Sequence, residues 1–179
     1  MPSVVSDSGP LIHLAQINRL QILQQLFGTV QVTPNVKKEV VDEGIRRKCP
    51  DAEIVGRAFQ DGWLKMEVLS APTLKQAAKL SDGEGISPAD AEVILLSVKK
   101  NALFLSDDIA LAMIAQMYGL KTWDTWNLLL EALSNNLITI TELCDAVGEL
   151  GKRKFKLNPK RTQEIQQAAK VIEKRKDKV

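Results

Sequence analysis

The sequence predicts an α/β protein: a central parallel β-sheet flanked by helices in a three-layer α/β/α arrangement, with an additional C-terminal helix. Three observations carry this. Short extended runs at Val4-Val5, 30–32 and 102–105 alternate with helical patterns, the spacing of parallel strands joined by crossover helices. Two of those runs end alike, in a small hydroxyl residue and acid, at Ser6-Asp7 and Ser106-Asp107-Asp108. The 179 residues are 45% hydrophobic, enough to bury a real core.

Val4 and Val5 favour an extended chain, Gly9 permits a sharp bend and Pro10 suits a first helical turn, so Asp7 is expected at the carboxyl end of the first strand. Leu11, Leu14, Ala15, Leu20, Leu23, Leu26 and Phe27 then recur at helical spacing up to Gly28, a C-cap signal, and fit two short helices. After the strand at 30–32, Thr33-Pro34 caps a helix through Val36, Val40 and Val41 that is expected to end near Gly44. Glu39 lies between Val36 and Val40 and borders the apolar stripe. Its carboxylate is either an ordinary exposed one or leans toward the core edge.

Residues 51–60 read as a helix, 64–69 as a strand after the turn Asp61-Gly62, and 72–80 as a helix. Ser81-Asp82-Gly83-Glu84-Gly85 follows as a flexible loop whose acids could cover a site. Ser87-Pro88-Ala89-Asp90 is a helix start, with Ser as N-cap, Pro at the first position and an acid three residues after the cap. That helix continues through Ala91, Val93, Ile94, Leu95 and Val98, apolar nearly all round, so it should lie buried against the sheet with Asp90 at the core's edge. Asp90 has a second reading as the capping-box acid, and Asp107, Asp108 and Asp124 as N-caps. Residues 109–118 form the next helix, closed by Gly119, and Lys121-Thr122-Trp123-Asp124 precedes a helix containing Trp126, Leu128 and Leu133. Thr139-Ile140-Thr141-Glu142 opens a helix with a capping box, and Asn158-Pro159 starts a last one in which Ile165, Ala168, Ala169 and Ile172 form one apolar stripe.

Charge separates residues 1–150, read as the main domain, from a basic helical extension at 151–179. Residues 152–179 hold eleven Lys and Arg against three acids, a net of +8, whereas the rest carries 13 bases and 19 acids, a net of −6. An acidic body with a basic tail points to a carboxylate site and a separate surface for polyanions. The apolar stripe of the last helix offers the rival role of docking a second subunit or another protein. No apolar run nears the ~18 residues of a membrane span, and no basic segment followed by an apolar one opens the chain, so a cytoplasmic protein without membrane contact is expected. Cys49 and Cys144 lack zinc-ligand spacing and read as buried or inert free thiols.

On a parallel sheet the strand ends share one edge, so Asp7 and Asp107/Asp108 become neighbours, Asp90 joins from its helix start, and Glu39 can lean in. Like charges a few ångströms apart repel, so such a cluster persists only if a cation or a proton neutralises it. Oxygen-only ligands select hard divalent ions, Mg²⁺ or Mn²⁺, which suit phosphate chemistry. His13, the only histidine, reads as a polar spot on a packed helix, because a general base is unnecessary when a metal activates water. A phosphatase of the haloacid-dehalogenase type wants a second Asp two residues after Asp7, where Gly9 stands. The alternative to an enzyme is a non-catalytic α/β interaction module that binds protein or nucleic acid through its C-terminal helix.

Four stretches, in order, resemble the acidic motifs of PIN-domain nucleases: Val4-Val5-Ser6-Asp7-Ser8-Gly9-Pro10-Leu11-Ile12, Pro34-Asn35-Val36-Lys37-Lys38-Glu39-Val40, Ala89-Asp90-Ala91-Glu92-Val93-Ile94 and Leu103-Phe104-Leu105-Ser106-Asp107-Asp108. The resemblance covers residues 3 to about 137 and is closest to the toxin-type, VapC-like ribonuclease branch. It implies a PIN-like nuclease domain over 1–150, Mg²⁺ or Mn²⁺ in an acidic crevice, and cleavage of single-stranded RNA. An antitoxin-type inhibitor protein and a second copy of the chain in a homodimer are the partners expected. Carried over by position, Asp7 resembles the first metal ligand, Glu39 the second acid, Asp90 the third, and Asp107 or Asp108 the fourth. Asp7, Asp90, Asp107 and Asp108 are thus the expected metal ligands, Glu39 completes the catalytic set, and Glu92 is an understudy for Asp90. Two departures stand out: Asp124 precedes Thr125 where close relatives tend to have Gly, and Ile109 follows the paired acids where a basic residue is common. The first offers the site another acid; the second removes a substrate contact.

Overall fold

The opening run forms β1 (Val4–Ser6), and burial of all three residues marks it as an interior strand rather than an edge. The computed structural model describes residues 3–153 and 159–176. The chain divides into two compact units, Met1–Thr125 and Trp126–Val179. In the first, β1 is followed by α1 (Ser8–Gln16), α2 (Gln21–Phe27), β2 (Val30–Val32), α3 (Pro34–Lys37), a π-helical turn (Lys38–Glu43), α4 (Gly44–Arg46), α5 (Pro50–Gln60) and β3 (Leu64–Met66). The unit continues with α6 (Ala71–Glu84), α7 (Pro88–Lys100), β4 (Leu103–Leu105), α8 (Ile109–Met117) and β5 (Thr122–Trp123). α9 (Thr125–Ser134) begins at the boundary, and α10 (Ile140–Lys152) and α11 (Pro159–Lys176) belong to the second unit.

All five strands are parallel, in the order β3-β2-β1-β4-β5, and Val4, Val5 and Ser6 stand beside Leu103, Phe104 and Leu105. The chain runs outward from β1 to β2 and β3, then returns through α6 and α7 to β4 on the far side of β1. That reversal puts the switch point between β1 and β4, and the crevice outside their carboxyl ends is where ligands of such sheets bind. α7 packs on β1 and β4, α2 on β2, α5 on β3 and α8 on β5, completing the α/β/α layers. Apolar burial of Val4, Val5, Phe104 and Leu105 on the central strands, and of Leu11, Leu14 and Ile94 on the helices, builds the core that fixes this edge.

Several local expectations change. The helix expected to end near Gly44 runs on into α4, because Gly44 is where α4 meets α5: a Cβ there would lie 2.6 Å from the Ala52 Cβ. The flexible loop expected at 81–85 is the last turn of α6, closed by Gly85 in the left-handed conformation (φ 67). Leu80 and Ser81 are buried there, and packing of α6 on α7 outweighs the turn-forming composition. β3 stops at Met66 rather than residue 69. Cys49 is half-buried and Cys144 exposed, so both thiols are free but neither is fully buried.

In the second unit, Thr139 and Glu142 form the expected capping box of α10. α10 packs against α11, and Ile165 and Ala169 are buried while Ala168 and Ile172 are half-buried. The apolar stripe therefore has its partner within the unit, and Lys160, Arg161, Lys170, Lys174 and Arg175 face outward. Asn158, Lys154, Lys156 and Lys178, which belong to the basic extension, lie outside the described residues. Among the described residues no helix is long and apolar enough to cross a membrane.

Candidate active site

Asp7 follows β1, and its amide extends the ladder by donating to the Leu105 carbonyl (2.9 Å). The chain then turns into α1 with Asp7 as N-cap: Oδ1 accepts from the Ser8 amide at 2.6 Å and Oδ2 from Ser106 Oγ at 3.2 Å. Burial pushes the Asp7 carboxyl up to about 6 from its ordinary 3.8. The Ser8 amide and the Ser106 hydroxyl oppose the rise, whereas the negative charges of Asp90 and Glu39 add to it.

Glu39 comes from the π-helical turn, a widened helical segment that often marks functional sites. Ser8 Oγ donates to Glu39 Oε2 at 2.6 Å, so a single residue holds Asp7 through its amide and Glu39 through its hydroxyl. Asp90 enters from the first turn of α7, where its amide donates to Ser87 Oγ (3.1 Å) and Ser87 Oγ donates to its Oδ2 (2.7 Å). The Asp90 carboxylate is held by the cap, and its charge still acts on Asp7. Glu92, two residues beyond Asp90 on α7, accepts from Asn35 Nδ2 at 2.8 Å.

Asp107 and Asp108 part company. Asp108 caps α8, accepting from the Leu111 amide at 3.0 Å, while its own amide donates to Ser106 Oγ (3.2 Å). Asp107, with a side chain only 5% exposed, accepts at Oδ1 from the Thr125 amide (2.7 Å) and at Oδ2 from Thr125 Oγ1 (2.6 Å). His13 Nδ1 lies 2.7 Å from the same Oδ2. Gly9 belongs to this knot: its φ is not positive, and its role is clearance, since a Cβ there would sit 3.3 Å from the Asp107 Cβ. Asp124, at the end of β5, is half-buried.

The structure thus brings Glu39 and Asp90 within electrostatic reach of Asp7, gathers Asp107 with His13 and Thr125, and turns Asp108 to a helix cap. The expected pairing of the Ser87 cap with Asp90 is present, whereas sequence reasoning missed Ser8 and Ser106 as the hydroxyls that orient the acids, and His13 and Thr125 as partners of Asp107. The repeated Ser-Asp at both strand ends was the visible signal for Ser106; nothing local ties residues 13, 107 and 125 together before the sheet is built.

The donor set around Asp7 is all oxygen, the chemistry that Mg²⁺ and Mn²⁺ take, and a buried carboxylate opposed by two others is relieved by a divalent cation. Among the described residues no three His, Cys, Asp or Glu side chains are arranged as a group able to hold a metal ion by themselves. Mg²⁺ keeps several of its waters and binds through one or two carboxylates plus substrate phosphate, so an open site of this kind suits it better than a full protein cage would.

Fold and crevice together define the class: a doubly wound α/β protein with acids collected at the switch point of a parallel sheet. A family model described as a PIN domain matches residues 3–171, and the chain belongs to the PIN-domain family. PIN domains are generally nucleases, and they typically use divalent metals. No curated protein matches the chain.

Proposed function

We infer that the protein is a Mg²⁺- or Mn²⁺-dependent endoribonuclease that cleaves single-stranded RNA, of the toxin type that is paired with an inhibitor protein. The observation that carries the reading is the joining of Asp7 and Glu39 through the one residue Ser8 at the switch point, with the charge of Asp90 also acting on Asp7, because mutually repelling carboxylates are stable together only where a cation or proton is taken up. Asp7 and Asp90 are the residues that would hold the ion. Once bound, it would supply water activation and charge stabilisation at the leaving oxygen of a phosphodiester.

The chain's own residues do the positioning. The Ser8 amide and Ser106 hydroxyl fix the two oxygens of Asp7, and Ser87 fixes Asp90. Glu39 is engaged by Ser8 through Oε2, and Oε1 is the oxygen we assign to accepting a proton from the attacking water. Asp107, held by His13 and Thr125, ties the end of β4 to α1 and to Thr125, two residues past β5. The protein-docking form of the interaction-module alternative loses support, since α10 packs on α11 and Ile165 and Ala169 of its apolar stripe are buried. What supports the toxin-type branch is the resemblance of the four ordered acidic motifs.

The test is cleavage of end-labelled single-stranded RNA in Mn²⁺. Wild type should cut and EDTA should stop it, Asp7→Asn should be inactive, and Glu39→Gln should lose on the order of 10²-fold in rate. Equal cleavage by wild type and Asp7→Asn, or cleavage that survives EDTA, would reject the reading. Growth arrest on expression of wild type but not of Asp7→Asn would support the toxin role, and normal growth with both would reject it.

A further inference from the structure

We propose that the groove beside Glu39 seats one nucleotide of the RNA strand, flanking the phosphate that is cut; this rests on the ribonuclease reading above. The groove encloses about 400 Å³, within the range of small-molecule sites. Glu39 lines it while bonded to Ser8, and Ala89, the residue before Asp90, lines it as well. The half-buried Ile12 and Ala89 give it apolar surface for the face of a base, and the amides of Gln16 and Asn35 offer donors and acceptors to base edges.

Charge narrows the occupant further. Lys38 and Arg47 line the groove with Glu39, Glu43 and Asp51, a net of one negative charge. Glu43 is spoken for, since Arg47 bonds it at 3.2 Å. Such a lining disfavours a phosphate within the groove and suits a neutral base and ribose, with the exposed Lys38 at its edge facing a flanking phosphate. The π-helical turn supplies Lys38, Glu39, Val40 and Glu43 to this surface, so the same local distortion that presents the catalytic carboxylate also shapes the groove.

Cys49 makes the proposal testable without activity, because it is half-buried and lines the groove, whereas Cys144 is exposed on α10. The experiment measures iodoacetamide alkylation of both thiols in the full-length protein with Mn²⁺, as a phosphorothioate-protected single-stranded oligoribonucleotide is titrated and its binding followed by anisotropy. Cys49 alkylation should slow at least about fivefold at saturation while Cys144 slows much less. In parallel, Gln16→Ala should raise KM for cleavable RNA by about fivefold, the loss of one hydrogen bond, with kcat little changed. Unchanged Cys49 alkylation with the oligonucleotide bound, or equal slowing of both thiols, would overturn the groove assignment while wild-type cleavage stood. Absence of any wild-type cleavage would instead bring down the ribonuclease reading and this inference with it.

Discussion

Replacing Asp7 with Asn should make the metal-free protein more stable at pH 8, although it removes a residue at the heart of the site. The folded-state pKa of Asp7 is raised to about 6 from 3.8, so folding opposes its ionisation. A carboxyl raised in this way binds a proton more readily in the folded chain, and stability falls as pH rises from about 4 through about 6. A shift of about two units corresponds to roughly 3 kcal/mol of destabilisation in full above pH 6. Asn keeps the N-cap acceptor for the Ser8 amide, but Ser106 loses a charged acceptor worth about 1 kcal/mol more than a neutral one. The net gain at pH 8 is therefore about 1–2 kcal/mol, which for a chain of this length raises Tm by about 2–8 °C. Circular dichroism melts of both proteins in EDTA, from pH 4 to pH 8, would measure it. The advantage of Asp7→Asn should be absent near pH 4 and appear between pH 4 and 6. A variant less stable than wild type at pH 8, or a difference that ignores pH, would refute the reasoning.

Asp108 caps α8, so Asp108→Asn should leave RNA cleavage within about threefold of wild type because Asn caps equally well, whereas Asp108→Ala should cost about 1 kcal/mol in a melt. Activity lost in the Asn variant would return Asp108 to the metal site. Thr125→Val removes the hydroxyl donated to buried Asp107 Oδ2 at near-constant volume, and the expected cost is about 1–2 kcal/mol by denaturant titration. No loss would mean that His13 alone satisfies that oxygen. Changing Lys170, Lys174 and Arg175 together to Gln should flatten the dependence of log Kd for single-stranded RNA on log salt by up to about 2, at about 0.7 per phosphate contact. An unchanged slope would remove the basic tail from RNA binding.

The strands and the strand-end acids were legible because their signals are local. β-branched runs, hydroxyl-acid pairs and the Ser87-Pro88 helix start each act within a few residues, and β1, β4 and α7 lie where those signals point. The strand order was not, since nothing in β2 or β4 says on which side of β1 it pairs. The same limit hid the Asp107 knot: residues 13, 107 and 125 meet only after β1, β4 and β5 align. Glu39 was poised between two readings because the periodicity that assigns faces assumes a regular helix, and the π-helical turn breaks that period at Lys38. At 81–85 composition misled, as a glycine-bearing stretch with two acids was drawn into α6 by its contacts with α7. The stripe of α11 was visible, but its cover was not, because α10 is apolar on one face for reasons equally consistent with other neighbours.

The account stands or falls on Asp7 and Asp90 sharing a cation in a crevice where Glu39 is near, and Mn²⁺ binding in full-length wild type, Asp7→Asn and Asp90→Asn measures this most directly. Calorimetric titration at pH 8, with melts in parallel, should give binding and a Tm rise for wild type, about 2.7 kcal/mol of stabilisation at 100 times Kd, and neither in the two variants. Equal Mn²⁺ affinity in all three proteins, or none in wild type, would contradict it.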